Sequence, residues 1–501
     1  MSTVFDGVRL LVLRFAPNRL NLALALLLAV AVARLWVWHI DASFWVDEMV
    51  TAFVVHHGAA DPSLAAAPQV PESVYYQVAR AADTLFGARE AAYRVPSILF
   101  SLAALWLIAL LAARLVHPEA GWVAVFACFG LKGFNWEAPD ARPYALGFFV
   151  LAAAALLLIR WLDSGRIRDA CLFAIAAALL WRVQLIFWPA YLVLTIYAIV
   201  RLARRETPVR WAHAAVLAGV LAILLTPVLH EALRINRGAR EHVIADPPAV
   251  RDLLNALHWK LLAVCAGGAW IVSRFSPWIR ERVPVSVSSA AMVGGWWLIP
   301  PLALYVYSLA TGNSVFVRRY YSIELPGAAL AAAFLAARFL PKPQWNHAGV
   351  LLGAGVVLTM GWHPEPWPGS NWRSAAAALN ALPQGTPVIV ASPFIEAKAP
   401  VWRPDYPLPG FLYAQLEMYP LRQRTYLFPF KPCPEAKQYA ERLEPGLAAA
   451  KRFAIYGGDA NVRFWRDWFA RQPDLAYWKT RDLGTFGDVQ AVLFETKARP
   501  R

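Results

Sequence analysis

Two adjacent carboxylates, Asp47 and Glu48, follow the first apolar run and lie beside aromatic residues in Ser43-Phe44-Trp45-Val46-Asp47-Glu48. A charged carboxylate at the edge of a low-dielectric region has a high free-energy cost, and it is retained there when it pairs with a cation or takes part in function. A carboxylate so placed can act as a general base toward an attacking hydroxyl or amine. The alternative is that the two carboxylates are ordinary charged residues of a loop. We favour a functional pair, because the segment through His56-His57 has the pattern of an amphipathic helix at a membrane interface.

A second acid precedes a later apolar run, in Asp140-Ala141-Arg142-Pro143-Tyr144. Pro143 suits the first turn of a helix, where its missing N–H has no partner to lose. Asp140 and Arg142 are therefore predicted at a helix N-terminus. They are either a structural ion pair or part of a site, and their spacing alone does not distinguish the two.

The third cluster is Val317-Arg318-Arg319-Tyr320-Tyr321, which leads into another apolar run. Two adjacent arginines on the outer side of a membrane run against the usual distribution of positive charge. An anionic lipid headgroup or a phosphate would explain them. Snorkelling of the arginines to the headgroup region is the alternative.

The composition requires a membrane environment for these clusters. Of 501 residues, 59% are hydrophobic and 16% are charged, whereas a soluble domain carries about a quarter charged residues. The net charge of +15 comes largely from arginines in short loops between apolar runs, which is typical of orientation signals. No basic helix face indicates nucleic-acid binding. The four cysteines lack the paired spacing of a disulfide framework or a thiolate metal site.

The apolar runs predict a polytopic α-helical protein with about eleven transmembrane helices. They lie at about 20–40, 95–116, 119–134, 143–162, 170–182, 185–202, 211–232, 255–273, 287–310, 323–340 and 347–362. The runs 170–182 and 185–202 are separated only by Arg182 and Gln184, so they are either two short helices or one broken helix.

The loop arginines place the N-terminus inside the cell, and Asp47 and Glu48 outside. We expect a transmembrane domain over 1–362, with a first outer loop at 41–94, and an extracytoplasmic domain over 363–501. In that second domain the pattern predicts strands at Pro387–Ala391, Phe453–Tyr456 and 489–495, with helices at 434–450 and 461–471. This alternation is typical of a small α/β domain.

Together these segments resemble the GT-C superfamily of polyprenyl-phosphate-dependent glycosyltransferases, in the branch of bacterial protein O-mannosyltransferase-like enzymes and the lipid A aminoarabinose transferase. The matching segments occur in the family's order: Asp47-Glu48, Tyr75-Tyr76, Phe86-Gly87, Glu90, Arg94-Val95-Pro96-Ser97, Asp140 to Leu146, Arg319-Tyr320, Leu325-Pro326 and Asn371 to Ala376. One departure is 69–74, where many relatives carry His-Pro-Pro and this chain has no histidine. Another is Asp140, where relatives more often have Glu.

The resemblance implies transfer of a sugar from a polyprenyl phosphate to a lipid, glycan or protein acceptor on the periplasmic side of a bacterial inner membrane, with inversion. Asp47 is the expected base, Glu48 its orienting partner and Asp140 a second acid. The leaving phosphate needs fixed cations. These are Arg318 and Arg319 first, then Arg142, Arg94 and Arg182; the sugar would meet Tyr75, Tyr76 and Tyr320.

No cofactor is certain. A divalent metal bound by Asp47, Glu48, His56 and His57 lacks supporting spacing, and histidines on an interfacial helix are the favoured interpretation. The main alternative function is non-catalytic binding or transport of a lipid or sugar-lipid, which predicts acids within the spans and broken helices. An outer-face phosphotransferase or hydrolase would want a His/Asp metal cluster, and residues 364–501 contain no histidine.

Overall fold

The structure is a computed structural model that describes residues 19–66, 73–238, 246–274, 286–359, 369–397, 402 and 410–496. The chain divides into two compact units. The first contains the described residues of Met1–Ile40, Ser73–Tyr75 and Arg94–Trp362, and the second those of Asp41–Glu72, Tyr76–Tyr93 and His363–Arg501. The second unit thus holds most of the first loop together with the C-terminal segment. Of the departure from the family at 69–74, residues 69–72 lie outside the described residues.

Helices dominate both units. In chain order they are α1 (Arg19–Val32, extended by a π-helical turn Ala33–Val37), α2 (Val46–His57), α3 (Val74–Phe86), α4 (Glu90–Leu115), α5 (Gly121–Phe129), α6 (Lys132–Glu137), α7 (Tyr144–Ser164), α8 (Ile167–Val183), α9 (Pro189–Ala203), α10 (Trp211–Gly238), α11 (Val250–Ala256), α12 (Trp259–Arg274), α13 (Val287–Thr311), α14 (Arg318–Tyr321), α15 (Leu325–Ala336), α16 (Trp345–Thr359), α17 (Trp372–Asn380), α18 (Ala414–Met418), α19 (Pro434–Ala449) and α20 (Asp459–Phe469). Short 3₁₀ turns occur at Pro62–Ala66, Leu185–Phe187, Ser322–Glu324, Lys342–Gln344 and Phe411–Tyr413.

The predicted multi-pass helical class is confirmed. Among the described residues, six helices are long and apolar enough to cross a membrane, or seven if the bent pair α11 and α12 counts as one span. A helix lies at each of the eleven predicted runs, but α5, α8, α15 and α16 have 9, 17, 12 and 15 residues and are not among the candidate spans. Because a single span needs about 20 residues, these four do not confirm the count of eleven.

The alternative left open at 170–202 is decided by the backbone at Gln184. This residue has extended angles, φ −159° and ψ 126°, between the end of α8 and the 3₁₀ turn that precedes α9. The two helices also pack on different partners, α8 on α7 and α9 on α13. They are therefore two separate helices.

The cluster of residues 318–324 is held by close packing in the first unit. Helix α14 packs against α6, and the turn Ser322–Glu324 packs against α7 and α13. Gly327 at the start of α15 lies against α13, where an added Cβ would stand 2.6 Å from the carbonyl carbon of Trp296. Only a glycine permits so close an approach, so this residue fixes where the preceding turn is placed.

The second unit contains a five-stranded sheet in the order β2-β1-β3-β5-β4. Its strands are β1 (Val388–Ala391), β2 (Thr425–Phe428), β3 (Arg452–Gly458), β4 (Lys479–Phe486) and β5 (Val489–Glu495). Strands β2, β1 and β3 are parallel, and β3, β5 and β4 are antiparallel. In register, Ile389 lies opposite both Tyr426 and Ile455.

The small α/β domain is confirmed, with helices α19 and α20 near their predicted positions. The pattern located β1, β3 and β5, which are almost wholly buried. It missed β2 and β4. Strand β4 is largely exposed, because it forms one edge of the sheet and is paired with β5 alone. An exposed edge strand has no apolar alternation by which to be recognised.

Candidate functional site

The acidic pair of the second unit begins helix α2, and its two members differ in their surroundings. Glu48 is fully buried, and its Oε2 accepts a hydrogen bond from the backbone N–H of Trp45 at 3.3 Å. This contact caps the helix from its third position, as Glu commonly does. Asp47 is partly exposed in the same first turn. Both carboxylates lie where the helix dipole favours negative charge, and Asp47 is the more exposed residue of the two, although Oδ2 of its carboxylate is buried.

A hydrogen-bonded cluster fixes the chain on either side of that pair within the second unit. The Tyr419 hydroxyl accepts from the Phe44 N–H at 2.8 Å and donates to the Glu90 carboxylate at 2.7 Å. Glu90 also pairs with Arg373, whose guanidinium donates to the Asp41 carbonyl at 3.1 Å. The chain just before Asp47-Glu48 thus meets Glu90 and the segment Asn371 to Ala376, both noted in the sequence. Their contacts hold the start of α2 in place.

The two histidines at the end of α2 bind a carboxylate of the C-terminal segment. His56 Nδ1 and His57 Nε2 lie 3.0 Å and 2.9 Å from the two oxygens of Glu417. The hydrogen bond with Glu417 raises the pKa of His56 above its usual value. Burial alone would raise the pKa of Glu417, but the hydrogen bonds with His56 and His57 lower it. Asp83 lies 3.8 Å from His56 Nε2.

These contacts bear on the metal site that was considered for Asp47, Glu48, His56 and His57. The histidines are engaged with Glu417 through Nδ1 of one ring and Nε2 of the other. In the part of the chain that the structure describes, no group of three or more His, Cys, Asp or Glu side chains is arranged to hold a metal ion. The geometry of the described residues therefore gives no argument for a metal at this position.

In the first unit, the acidic segment before α7 lies in a buried environment. Glu137 and Asp140 are 2% and 0% exposed, and Arg142 is also buried. Arg142, Arg319, Tyr320 and Glu137 all act electrostatically on the hydroxyl of Tyr144. The fold thus brings the Asp140 segment and the Arg319 segment, separated by almost 180 residues in the chain, to one place. The Arg319 guanidinium lies over the Tyr320 ring, 5.4 Å from its centroid.

Arg94 has a structural use in this unit. Its side chain is fully buried, and Nη1 donates to the Ile40 carbonyl at 3.0 Å and to the His39 carbonyl at 3.4 Å. These carbonyls lie just after the π-helical turn that ends α1, where backbone acceptors lack helical partners. Arg182 is partly exposed in the last turn of α8. Tyr75 and Tyr76 are both buried.

A cavity of about 380 Å³ opens beside α14 in the first unit. Its wall contains Lys132, His258, Trp259, Lys260, Arg318 and Tyr321. Within the described residues, Lys132, Lys260 and Arg318 form no ion pair within 4 Å. The wall therefore carries three uncompensated cations, together with the ring of Trp259 and the apolar side chains of Leu131 and Leu261. We call it the cationic cavity. Its chemistry suits an anionic group attached to an apolar chain.

Of these residues the sequence singled out only Arg318. Lys132 lies eight residues before Asp140, close to a segment that was already considered. Its position in the sequence could therefore have suggested it as a site residue. His258 and Lys260 lie at the break between α11 and α12, which bend by 44°. Nothing in their local pattern distinguishes them from loop charges. Their proximity to Arg318 is a consequence of helix packing.

A second cavity of the same unit, of about 220 Å³, is lined by Arg114, Asp163, Tyr197, Arg201, Glu206 and Ser288. Asp163 binds Arg114 and also Arg201, the latter at 2.9 Å. Glu206 accepts a hydrogen bond from Ser288 and binds Arg204 at 2.8 Å. We call it the ion-paired cavity.

The comparisons with known proteins agree with this architecture. Residues 73–230 match the family model described as dolichyl-phosphate-mannose-protein mannosyltransferase. A crystal structure of ArnT from Cupriavidus metallidurans bound to undecaprenyl phosphate aligns with a TM-score of 0.53 at 12% identity, over 95% of this chain and 99% of that chain. Its apo state aligns with a TM-score of 0.52 at 12% identity, over 94% and 97%. No curated protein sequence matches the chain. The chain thus has a fold similar to that of ArnT, and its residues 73–230 match the mannosyltransferase family model; both findings agree with the resemblance noted in the sequence.

Proposed function

We propose that this multi-pass membrane protein is a glycosyltransferase that moves a sugar from a polyprenyl phosphate to an acceptor on the periplasmic face of the inner membrane, with inversion. The observation that carries the proposal is the cationic cavity. Its charged lining is suited to the phosphate that is released when the bond to the sugar breaks, since that group gains negative charge during the reaction. A protein of similar fold has been solved with undecaprenyl phosphate.

The assignment of the base follows from the difference between the two acids at the start of α2. Glu48 is buried, and its Oε2 caps its own helix. Asp47 stands in the same turn with part of its surface accessible. We assign Asp47 as the general base that takes the acceptor's proton, and Glu48 as the residue that positions it.

The remaining predicted residues have supporting roles in this proposal. Arg318 of the cavity wall is assigned to the phosphate, while Arg319 lies with Arg142 near Tyr144, and Asp140 is a buried acid of the same unit. Attack on the sugar from the side opposite the phosphate inverts the anomeric centre. The His56–His57–Glu417 cluster is assigned a structural role, because both rings are engaged by the same carboxylate.

The experiment compares cells that carry the wild-type protein, Asp47→Asn or no copy, by mass spectrometry of their surface glycans and lipids. A sugar modification present with wild type and absent from the other two supports the proposal. Asp41→Asn is the matched control, since Asp41 is an exposed acid of the same loop, and it should retain the modification. Full modification by Asp47→Asn in a folded, membrane-inserted form would overturn the assignment of the base.

The second candidate is a protein that binds or transports a lipid-linked sugar without catalysis. The exposed cations of the cationic cavity fit that function equally well as a binding site. The two differ in the fate of the donor. A catalyst releases polyprenyl monophosphate from a purified sugar-linked donor when acceptor-containing membrane extract is added, whereas a binding protein leaves the donor intact.

A further inference from the structure

The wall of the cationic cavity contains a carboxylate–imidazole pair that the proposed roles leave unexplained. Nε2 of His258 lies 3.1 Å from Oε1 of Glu324. The Glu324 side chain is fully buried, while that of His258 is 24% exposed. A buried carboxylate is expensive unless it has a partner of opposite charge. His258 therefore contacts a buried acid and also lines the cavity.

The free edge of the imidazole is the Nδ1 edge. Within the described residues, the polar contact of the His258 side chain is the one from Nε2 to Glu324. The same residue lines the cavity together with Lys132, Lys260 and Arg318. With Nε2 held by the carboxylate, Nδ1 is the atom that remains for a ligand in the cavity.

Two consecutive tryptophans of α13 hold the backbone beside each member of the pair. The indole N–H of Trp297 donates to the carbonyl of Leu257 at 2.7 Å, and that of Trp296 donates to the carbonyl of Ile323 at 2.8 Å. Leu257 and Ile323 directly precede His258 and Glu324 in the chain. One turn of one helix thus sets the separation of two residues that come from different segments.

The backbone at His258 is strained. Its φ is 49°, in the left-handed region that non-glycine residues seldom adopt and in which asparagine and histidine are among the exceptions. Such strain persists where the surrounding structure imposes it, and it is concentrated at functional sites. A loop that only had to connect α11 to α12 would accept glycine here at lower cost.

We propose that His258 is a phosphate-binding residue of the cationic cavity, and that Glu324 is a positioning residue that orients its imidazole. The inference rests on the proposed function, since the phosphate is that of the polyprenyl donor. In the bound state the Nδ1–H group donates a charge-assisted hydrogen bond to a phosphate oxygen. No proton or bond is exchanged in this binding step.

The other charged groups around His258 add to this contact. Lys132 on α6, Lys260 on α12 and Arg318 on α14 share the cavity wall. Glu324 is the acid at ion-pair distance, and Tyr321 lies close enough to Arg318, Glu324 and Asp252 on α11 to feel their charges. Helix α13 contributes Trp296 and Trp297 at this point. A phosphate held by His258 would therefore also meet the three cations of the wall.

The test measures binding of polyprenyl monophosphate to the full-length protein in detergent by ³¹P NMR. His258→Asn is the variant, because asparagine tolerates the left-handed backbone. We expect wild type to bind about tenfold more tightly than His258→Asn, as a hydrogen bond to a charged group implies.

Further variants separate binding from a structural role. His258→Lys places a cation at the same position and should recover most of the affinity that His258→Asn loses. Glu324→Gln should bind less tightly than wild type, but adding it to His258→Asn should cause no further loss, because Glu324 acts through the imidazole. His347→Asn, at an exposed histidine of α16, is the matched control and should bind like wild type.

The outcomes distinguish this inference from the proposed function. If wild type fails to bind polyprenyl monophosphate, the proposed function is overturned and this inference with it. If wild type binds but folded His258→Asn binds with the same affinity, His258 is not a phosphate ligand and the proposed function stands. If Glu324→Gln retains the wild-type affinity, or weakens binding equally with and without His258, Glu324 has no positioning role.

Discussion

The cationic cavity and the ion-paired cavity belong to the same unit and are both lined by basic side chains, yet their charges are arranged in opposite ways. Lys132, Lys260 and Arg318 form no ion pair within 4 Å among the described residues. In the ion-paired cavity, Arg114 and Arg201 both bind Asp163. The lining of the first carries three uncompensated positive charges, whereas the two arginines of the second are balanced by Asp163 and Glu206.

The difference shows that a cluster of arginines acquires its role from the acids near it. Where carboxylates satisfy the guanidinium groups, the cluster joins helix ends: Arg114, Asp163 and Arg201 come from the last turns of α4, α7 and α9. Where no carboxylate lies within ion-pair distance of them among the described residues, as for Lys132, Lys260 and Arg318, the cations keep their capacity to bind an anion that arrives from outside. The sequence shows similar basic residues in both places.

The largest effect is expected from reversing one charge in each cavity. Arg318→Glu should weaken binding of polyprenyl monophosphate by about 100-fold or more, because a cation is lost and a repulsive carboxylate is added. Arg114→Glu should leave binding within about twofold, since its side chain is 58% exposed and serves Asp163. Equilibrium binding to detergent-purified, monodisperse protein measures both. Equal losses would show that the two cavities do not differ in function.

The second prediction concerns stability. Arg201→Ala should destabilise the protein by about 2–3 kcal/mol, because the Arg201 side chain is only 11% exposed and its loss leaves Asp163 and Tyr197 without its hydrogen bonds. Arg204→Ala, at a half-exposed partner of Glu206, should cost about 0.5 kcal/mol or less. Thermal unfolding in one detergent compares them. A larger loss for Arg204→Ala would contradict the ion-paired assignment.

The third prediction is that salt affects the two cavities unequally. Raising NaCl from about 0.1 to 0.5 M should weaken binding of polyprenyl monophosphate several-fold, since exposed cations are screened over shorter distances at high salt. The loss of thermal stability caused by Arg201→Ala should change little over the same range, because that guanidinium is mostly buried. Binding that is insensitive to salt would argue that apolar contacts alone hold the lipid.

The smallest effect is expected from pH at the His56–Glu417 contact of the second unit. The raised pKa of His56 means that its contribution is complete below pH 6.5 and is lost as pH rises through the raised pKa. The lowered pKa of Glu417 means that its contribution is complete above pH 4.5 and is lost as pH falls through the lowered pKa. The contact is therefore strongest between about pH 4.5 and 6.5.

Glu417→Gln tests that window. It should cost about 0.5–1 kcal/mol at pH 6 and almost nothing at pH 9, since both partners are partly exposed. Thermal unfolding of wild type and variant at the two pH values gives the difference. Arg201→Ala is the contrasting control, because the ion pair that it removes, with Asp163, contains no histidine. A penalty for Glu417→Gln that is equal at both pH values would contradict the paired histidines.

Much of the architecture could be predicted from local pattern. Apolar runs located the long helices, because a membrane demands continuous hydrophobic length. Buried β1, β3 and β5 were found because their side chains are almost all apolar. The pattern was incomplete where local preference and tertiary role differ. It missed the exposed β4, and the spans that it predicted at α5 and α15 are not confirmed, because these helices are short and their apolar residues are buried by packing.

For the candidate site, local sequence pattern identified the charged residues that have a high free-energy cost near a membrane. These are the pair at the start of α2, the acid before α7 and the arginines of α14. The differences between them come from the tertiary structure. It buries Glu48 as a helix cap and leaves Asp47 partly exposed, and it places His258 beside Glu324. Such pairings depend on the packing of distant helices, for which local sequence pattern carries no signal. The free-energy cost of a charge near a membrane depends on the residue and its immediate neighbours in the chain. The residues that it contacts depend on the packing of the whole fold.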